Sequence, residues 1–209
     1  MSLLRAVSTR LARSDFVQLG ALFFAILLFS LIIVWPTNPA EANDTWFALS
    51  QARLICLALL SLGYGSLSAD YARYDQRSAA GALLSLALLS VPLEVASYAL
   101  SYPPQPLGYT LGVTLVDTLA LFGVGLVVGK GLSLLRLKAL LPLAVPGVLV
   151  GLVMADIALG FVLFNPLSAL NTAEFRHLGM MGIIALLTLF YLSLKPSEPR
   201  LRAQPSSAR

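Results

Sequence analysis

Long apolar segments separated by short polar ones dominate the chain. Six of them are bounded by charged residues or by proline and glycine, and each is close to the about 20 apolar residues that a helix needs to cross a bilayer. They cover residues 17–36, 53–69, 79–100, 109–129, 139–164 and 178–195. Because they lack the apolar–polar alternation of barrel strands, each is predicted to be a helix. The predicted fold class is all-α: a polytopic membrane protein with six transmembrane helices.

Composition excludes a water-soluble domain. Hydrophobic residues make up 58% of the chain and charged residues 11%, against about 45–50% and about 25% in soluble domains. One cysteine, Cys56, and one histidine, His177, cannot form a multi-ligand zinc or iron site. We therefore predict no metal and no cofactor.

The basic residues indicate the orientation. Twelve of the fourteen lie on one side of the predicted spans: Arg5, Arg10, Arg13, Arg73, Arg77, Lys130, Arg136, Lys138, Lys195, Arg200, Arg202 and Arg209. Arg53 and Arg176 fall on the other side. The positive-inside rule then predicts an inner-membrane protein with both termini in the cytoplasm. Because this distribution explains the net charge of +4, nucleic acid is not predicted as a partner.

Three parts are predicted along the chain. Residues 1–16 combine apolar and basic positions that suit an amphipathic helix on the inner membrane surface, or a basic flank that only sets topology. Residues 17–195 form the six-helix transmembrane domain, and residues 196–209, rich in Pro, Ser and Arg, form a disordered cytoplasmic tail. The segment Ala40-Glu-Ala42 resembles a signal-peptide cleavage site, but the apolar run before it is longer than a typical signal core.

Three acidic residues, Glu94, Asp117 and Asp156, lie inside the predicted spans and nearer their outer ends. An ionisable group at membrane depth faces the bundle interior or a wet cavity. If the three converge, they form a path for a cation or a proton. Alternatively, each makes one interhelical hydrogen bond; the candidate partners are Ser97, Tyr98, Thr114 and Thr118.

Proline and glycine mark two helices. Pro142, Pro146 and Gly147 predict a broken or kinked fifth helix, a candidate hinge. Gly123 and Gly125, on the fourth span, are expected to allow close helix packing.

No enzyme is predicted. The segment around Lys130 lacks the glycine spacing of a phosphate-binding loop, so ATP is not expected to bind this chain alone. Ser66 and His177 suggest an intramembrane serine protease only if the fold brings them together, because a triad is defined by its geometry.

The cytoplasmic turn between the second and third spans is densely charged. Four charged residues lie within the eight positions from 70 to 77: Asp70, Arg73, Asp75 and Arg77. Asp70 and Arg73 have the spacing of neighbours on a helix. The turn is either a short charged helix that offers a docking surface or an ordinary solvated loop.

Several segments together resemble the membrane subunits of type-two ABC exporters, and among them the small haem-exporter permease subunit of cytochrome c maturation. The resemblance rests on four stretches: the basic amphipathic start Leu3 to Phe16, the turn Tyr71-Ala-Arg-Tyr-Asp-Gln-Arg77 leading to Glu94, the span end Phe122-Gly-Val-Gly125 continuing to Leu135, and Ala139-Leu-Leu-Pro-Leu-Ala-Val-Pro-Gly147. Two features depart from the family. The segment after the charged turn is shorter, and the turn lacks an acidic start with a following glycine.

The resemblance implies a homodimer on two copies of a separate ATP-binding subunit, together with other membrane subunits. Residues 70–78 would be the coupling helix, with Arg73, Asp75 and Arg77 as the contacts, and haem would be the exported substrate. Two alternatives stay open. One is the substrate-capture protein of a vitamin importer, and the other is a structural or assembly subunit of a larger membrane complex.

Overall fold

The computed structural model describes residues 42–70, 76–92, 94–95, 106–165 and 175–194. Within these ranges every regular element is helical, which confirms the all-α class. The helices are α1 (Ala42–Asp70), α2 (Gln76–Leu89), α3 (Leu107–Leu134), α4 (Leu141–Leu159) and α5 (Phe175–Leu194), and a 3-10 turn, Lys138–Leu140, precedes α4.

Four helical segments in the described part of the chain are long and apolar enough to cross a membrane: Ala48–Ala69, Leu107–Leu134, Lys138–Leu159 and Phe175–Leu194. They support a membrane-embedded protein. The predicted third span is described only to Val95, and its regular helix α2 has 14 residues. The predicted span 17–36 and the segments 1–16 and 196–209 lie outside the described residues.

Helix α3 is the centre of the described bundle. It packs against α1, α2 and α5. Of the residues in its apolar stretch 56% are buried, whereas in the apolar stretch that includes α4 only 6% are buried. Leu54 clusters with Val113 near the start of α3, whereas Gly65 approaches Gly125 near its end. Helices α1 and α3 are therefore parallel. We call the two ends of the bundle the Tyr109 end and the Lys130 end.

Glycines allow α1 and α3 to touch along their backbones. A Cβ on Gly125 would overlap the carbonyl oxygen of Leu62, and one on Gly129 would overlap that of Ser66. Gly123 faces the Thr188 hydroxyl of α5 with no room for a side chain. Small residues four apart permit this approach in membrane helices. The close packing expected at Gly123 and Gly125 is confirmed.

Helix α4 is continuous through its prolines. Pro142 lies in the first turn, where its missing N–H leaves no intrahelical bond unmade, and Pro146 lies inside the helix. The helix is thus not broken at Pro146, contrary to one of the two shapes expected for this segment. It ends at Gly160, whose φ of 70° is left-handed. The helix therefore stops at Leu159, five residues before the end that was predicted for this span at residue 164.

Candidate functional site: two buried charge pairs

The first charge pair joins α1 to the chain after α2. Arg53 lies in the interior of α1 with none of its surface exposed, and its guanidinium forms an ion pair with the Glu94 carboxylate. From the sequence, Arg53 is predicted to lie at the outer boundary of the second span. The structure places it inside the candidate span Ala48–Ala69, because the helix begins eleven residues earlier, at Ala42.

Hydroxyl groups from three helical segments complete this Arg53 pair. Arg53 donates to Ser90 Oγ at 2.9 Å and to Thr114 Oγ1 at 3.0 Å. Ser50 Oγ lies 3.1 Å from both carboxylate oxygens of Glu94. The two charges therefore compensate each other, and three hydroxyl groups bind them, which favours an ion pair away from water. Arg53 Nε has no hydrogen-bond partner among the described residues.

The second pair joins α3 to α5. His177 Nε2 lies 2.9 Å from Oδ1 and 3.0 Å from Oδ2 of Asp117, and His177 is fully buried. His177 Nδ1 has no hydrogen-bond partner among the described residues. A carboxylic acid with a neutral imidazole and a carboxylate with an imidazolium carry the same net charge, so one proton can shift within this Asp117 pair without creating net charge.

The two pairs are neighbours along α3. Thr114, which binds Arg53, precedes Asp117 by three residues and therefore lies on the same helix face. A cavity of about 10 Å³ beside Asp117 is lined by both residues and by Thr118, a volume at the lower limit for one water molecule. Glu94, through Arg53 and Thr114, is thus linked to the face of α3 that carries Asp117, towards the Tyr109 end.

Asp156 is separate and acts on the backbone. Its carboxylate accepts hydrogen bonds from the amides of Leu163, Phe164 and Asn165 at 2.7–3.0 Å. The chain can reach back because Gly160 turns it out of α4 in a left-handed conformation. Asp156 therefore fastens the segment after α4, and it approaches neither charge pair through a described hydrogen bond.

Asp156→Ala is expected to loosen residues 161–165 with limited effect on the whole bundle. Three amides lose their shared acceptor, and losing a cap of this kind costs about 0.5–2 kcal/mol. Amide hydrogen exchange of residues 163–165 should accelerate, while that of α3 stays unchanged. Asp156→Asn, which keeps one carbonyl acceptor, is the matched control with a smaller effect. Unchanged exchange in Asp156→Ala would contradict the assignment.

The structure also shows which partners sequence reasoning missed. Of the four polar residues expected to bind the acids, Thr114 contributes through Arg53, Thr118 donates to the Thr114 carbonyl oxygen, and Ser97 and Tyr98 lie outside the described residues. The direct partners are Arg53, Ser50 and His177. A signal for Arg53 was present, because the apolar residues Ala48 and Leu49 precede it in the sequence and extend the span on its other side.

The charged turn is described at its two ends. Asp70 closes α1, and Arg73 and Asp75 lie outside the described residues. Gln76 Nε2 donates to the Ser68 carbonyl oxygen at 3.2 Å. Arg77 donates to the carbonyl oxygens of Leu192 and Ser193 at 2.7 and 2.9 Å. These two carbonyls belong to the last turn of α5, where a cation is favourable.

Comparison with known proteins gives no match. No protein-family model, no curated protein and no solved structure is significantly similar to this chain. In the described ranges no group of three or more His, Cys, Asp or Glu residues could hold a metal ion, and His177 contacts Asp117 rather than Ser66.

Proposed function

We propose that this chain is the transmembrane subunit of an ABC-type exporter, driven by a separate ATP-binding subunit that grips the turn between α1 and α2. One observation carries the proposal: the first two residues of α2, which directly follow this turn, are bound to the ends of two other helices. Gln76 holds the end of α1, and Arg77 holds the end of α5. A force applied to the turn therefore acts on α1, α2 and α5 together.

The packing around α3 would transmit such a force. Gly125 and Gly129 allow the backbone of α1 to contact that of α3. Gly123 allows the Thr188 side chain of α5 to contact the α3 backbone. Close-packed interfaces respond to displacement as units, since they have little free volume to absorb it. In this proposal a movement at the Lys130 end reaches the buried charge pairs at the Tyr109 end through α1 and α5.

The resemblance in sequence adds the finer parts of the proposal. Six spans with both termini in the cytoplasm place the turn on the side of an intracellular ATPase. A homodimer, two ATP-binding subunits and further membrane subunits complete the complex in the inner membrane. Haem, an amphipathic molecule, is the proposed substrate. In this arrangement the hinge assigned to Pro142, Pro146 and Gly147 lets α4 bend during transport.

The test is co-purification of the tagged full chain from its native membrane with an ATP-hydrolysing subunit. Arg73→Glu together with Asp75→Arg is expected to weaken the complex at least about tenfold, because like-charge contacts across an interface cost several kcal/mol. Arg200→Glu together with Arg202→Glu, in the predicted tail, is the matched control and should leave the complex intact. Arg77→Ala should weaken the complex less than the charge reversal does, because the Arg77 guanidinium is already bound to the α5 carbonyl oxygens. It should reduce ATP-driven transport, because it detaches α5 from the turn.

Two results would contradict the proposal. One is a stably purified protein that binds no nucleotide-hydrolysing partner. The other is a complex whose affinity is unchanged by reversal of the charges at residues 73 and 75, with the melting temperature of the variant also unchanged. If the charge-reversed variant loses its partner because it unfolds, its melting temperature will be lower than that of the wild type. In that case the affinity of the complex is measured with the single substitution Asp75→Asn.

A structural or assembly subunit is the second candidate, and the chemistry of the two pairs favours it. Arg53 forms an ion pair with Glu94, and Asp117 forms a hydrogen-bonded pair with His177, each joining two different segments as cross-links between helices would. The vitamin-importer alternative requires a ligand pocket near the outer face and gains no such support. The cavity of about 510 Å³ lies at the Lys130 end instead. That end is the predicted inner side, opposite to the pocket that the importer requires.

A further inference from the structure

An apolar groove runs between α3 and α5 at the Lys130 end. Its volume is about 510 Å³, within the about 300–1,000 Å³ of ligand pockets. It extends from Gly123 to Lys130 along α3, which corresponds to about 10 Å of helix. The start of α2 forms its base through Gln76, and Tyr191 of α5 stands beside Lys130.

The open side of the groove is made of apolar side chains. Val127 is 73% exposed and Leu187 is 62% exposed, and both line it. In a candidate membrane span such surfaces face hydrocarbon. The molecules that reach the groove from this side are therefore lipid chains.

The charged group and the unpartnered polar atom of the groove lie at its Lys130 end, whereas Thr188, beside Gly123, donates its hydroxyl to the Ile184 carbonyl oxygen. The Lys130 ammonium lies 5.6 Å from the centre of the Tyr191 ring, which holds it at the mouth. Gln76 is only 3% exposed, and its Nε2 is used by the Ser68 carbonyl oxygen. Its Oε1 has no hydrogen-bond partner among the described residues. This end thus offers a cation for an anionic group and an acceptor for a hydroxyl.

The surrounding charge is mostly basic, although Asp70 is the last residue of α1 at the same end. Arg77, Arg136 and Lys138 lie at this end of the bundle with Lys130. Basic pockets between membrane helices on the cytoplasmic side recognise anionic headgroups. Acyl chain, anionic phosphate and headgroup hydroxyl therefore match three separate features of the groove.

We propose that this groove binds one anionic phospholipid with a hydroxylated headgroup. An acyl chain lies against Val124, Val127 and Leu187, the phosphate binds Lys130, and a headgroup hydroxyl donates to Gln76 Oε1. The bound lipid fills the space between α3 and α5 beside the turn held by Gln76 and Arg77. The site does not depend on the exporter function proposed above.

Native mass spectrometry of the full chain from nanodiscs tests the site. Phosphatidylglycerol and phosphatidylcholine with identical chains serve as probes. The wild-type protein should retain one phosphatidylglycerol and little phosphatidylcholine. Lys130→Gln should weaken retention about fivefold, which corresponds to about 1 kcal/mol for one basic residue. Lys138→Gln, at the same end but outside the groove, is the matched control.

A second variant tests the acyl-chain contact. Val127→Trp fills the groove from its open side without altering the buried core, and it should abolish retention. Val150→Trp, on the exposed side of α4, should leave retention unchanged. Equal retention of both lipids, or retention unaffected by Val127→Trp, would overturn the proposal. Wild-type protein that retains no lipid would also overturn it, and would point instead to residues 17–36 of this chain as the occupant.

Discussion

Arg53→Met is expected to destabilise the bundle by about 3–5 kcal/mol, because it leaves the Glu94 carboxylate buried without its cation. The side chains have similar lengths, so little volume is lost. Arg53 has no exposed surface and Glu94 is 3% exposed, so water cannot replace the missing partner without opening the helices. The free energy of unfolding in mixed detergent micelles, followed by circular dichroism, measures the effect.

A double variant separates loss of the pair from loss of packing. In Arg53→Met with Glu94→Gln, most of the stability should return, because no unpaired charge remains. Ser90 and Thr114 stay satisfied, since their hydroxyls also donate to the carbonyl oxygens of Ala87 and Thr110. Arg176→Met, an exposed arginine over the Phe161 ring, should cost below about 1 kcal/mol. A double variant as unstable as the single one would refute the charge explanation.

Gly125→Ala is expected to cost about 2–3 kcal/mol, at the upper end of the range for overpacking. The added Cβ overlaps the carbonyl oxygen of Leu62, and it also comes within 3.1 Å of the Gly65 Cα. Both atoms belong to the α1 backbone and cannot rotate aside as a side chain can. The helices must therefore separate, and the variant should show this as a lower unfolding free energy in the same micelles.

Gly131→Ala is the matched control for this prediction. It is the same substitution on the same helix, but a Cβ there meets nothing within 4 Å. Because alanine favours the helix over glycine by about 0.5–1 kcal/mol, this variant should be neutral or slightly stabilised. Equal effects of the two substitutions would show that helix propensity, and not contact between α1 and α3, determines the result.

These two predictions concern the same physical arrangement. The charge pairs connect helices at the Tyr109 end. The glycine contacts connect α1 to α3 nearer the Lys130 end, where Gly65 meets Gly125 and Ser66 meets Gly129. In hydrocarbon, apolar side chains gain nothing by leaving lipid for a protein neighbour, so polar bonds and close backbone contact must hold the helices together. Both types of contact involve α3, which is why it is the most deeply packed of the described spanning helices.

Local sequence was sufficient for some features and insufficient for others. Apolar length predicted helices in the right places, as α3 and α5 show, because a helix satisfies its own backbone wherever it lies. The span start predicted at Arg53 is wrong, because the apolar helical segment begins at Ala48 and the charged side chain lies inside it. Pro146 was expected to break or kink its helix; it does not break it, because α4 continues from Leu141 to Leu159 with Pro146 inside it.

The sequence by itself determined the all-helical class, the membrane character and the fact that Glu94, Asp117 and Asp156 could not face lipid. Each of these depends on the free energy of transferring one residue or one segment from water to hydrocarbon, which needs no knowledge of neighbours. Tertiary structure alone decided which side chains bind Glu94 and Asp117. His177 lies 60 residues from Asp117 and Thr114 lies 61 residues from Arg53, and no local periodicity connects positions so distant.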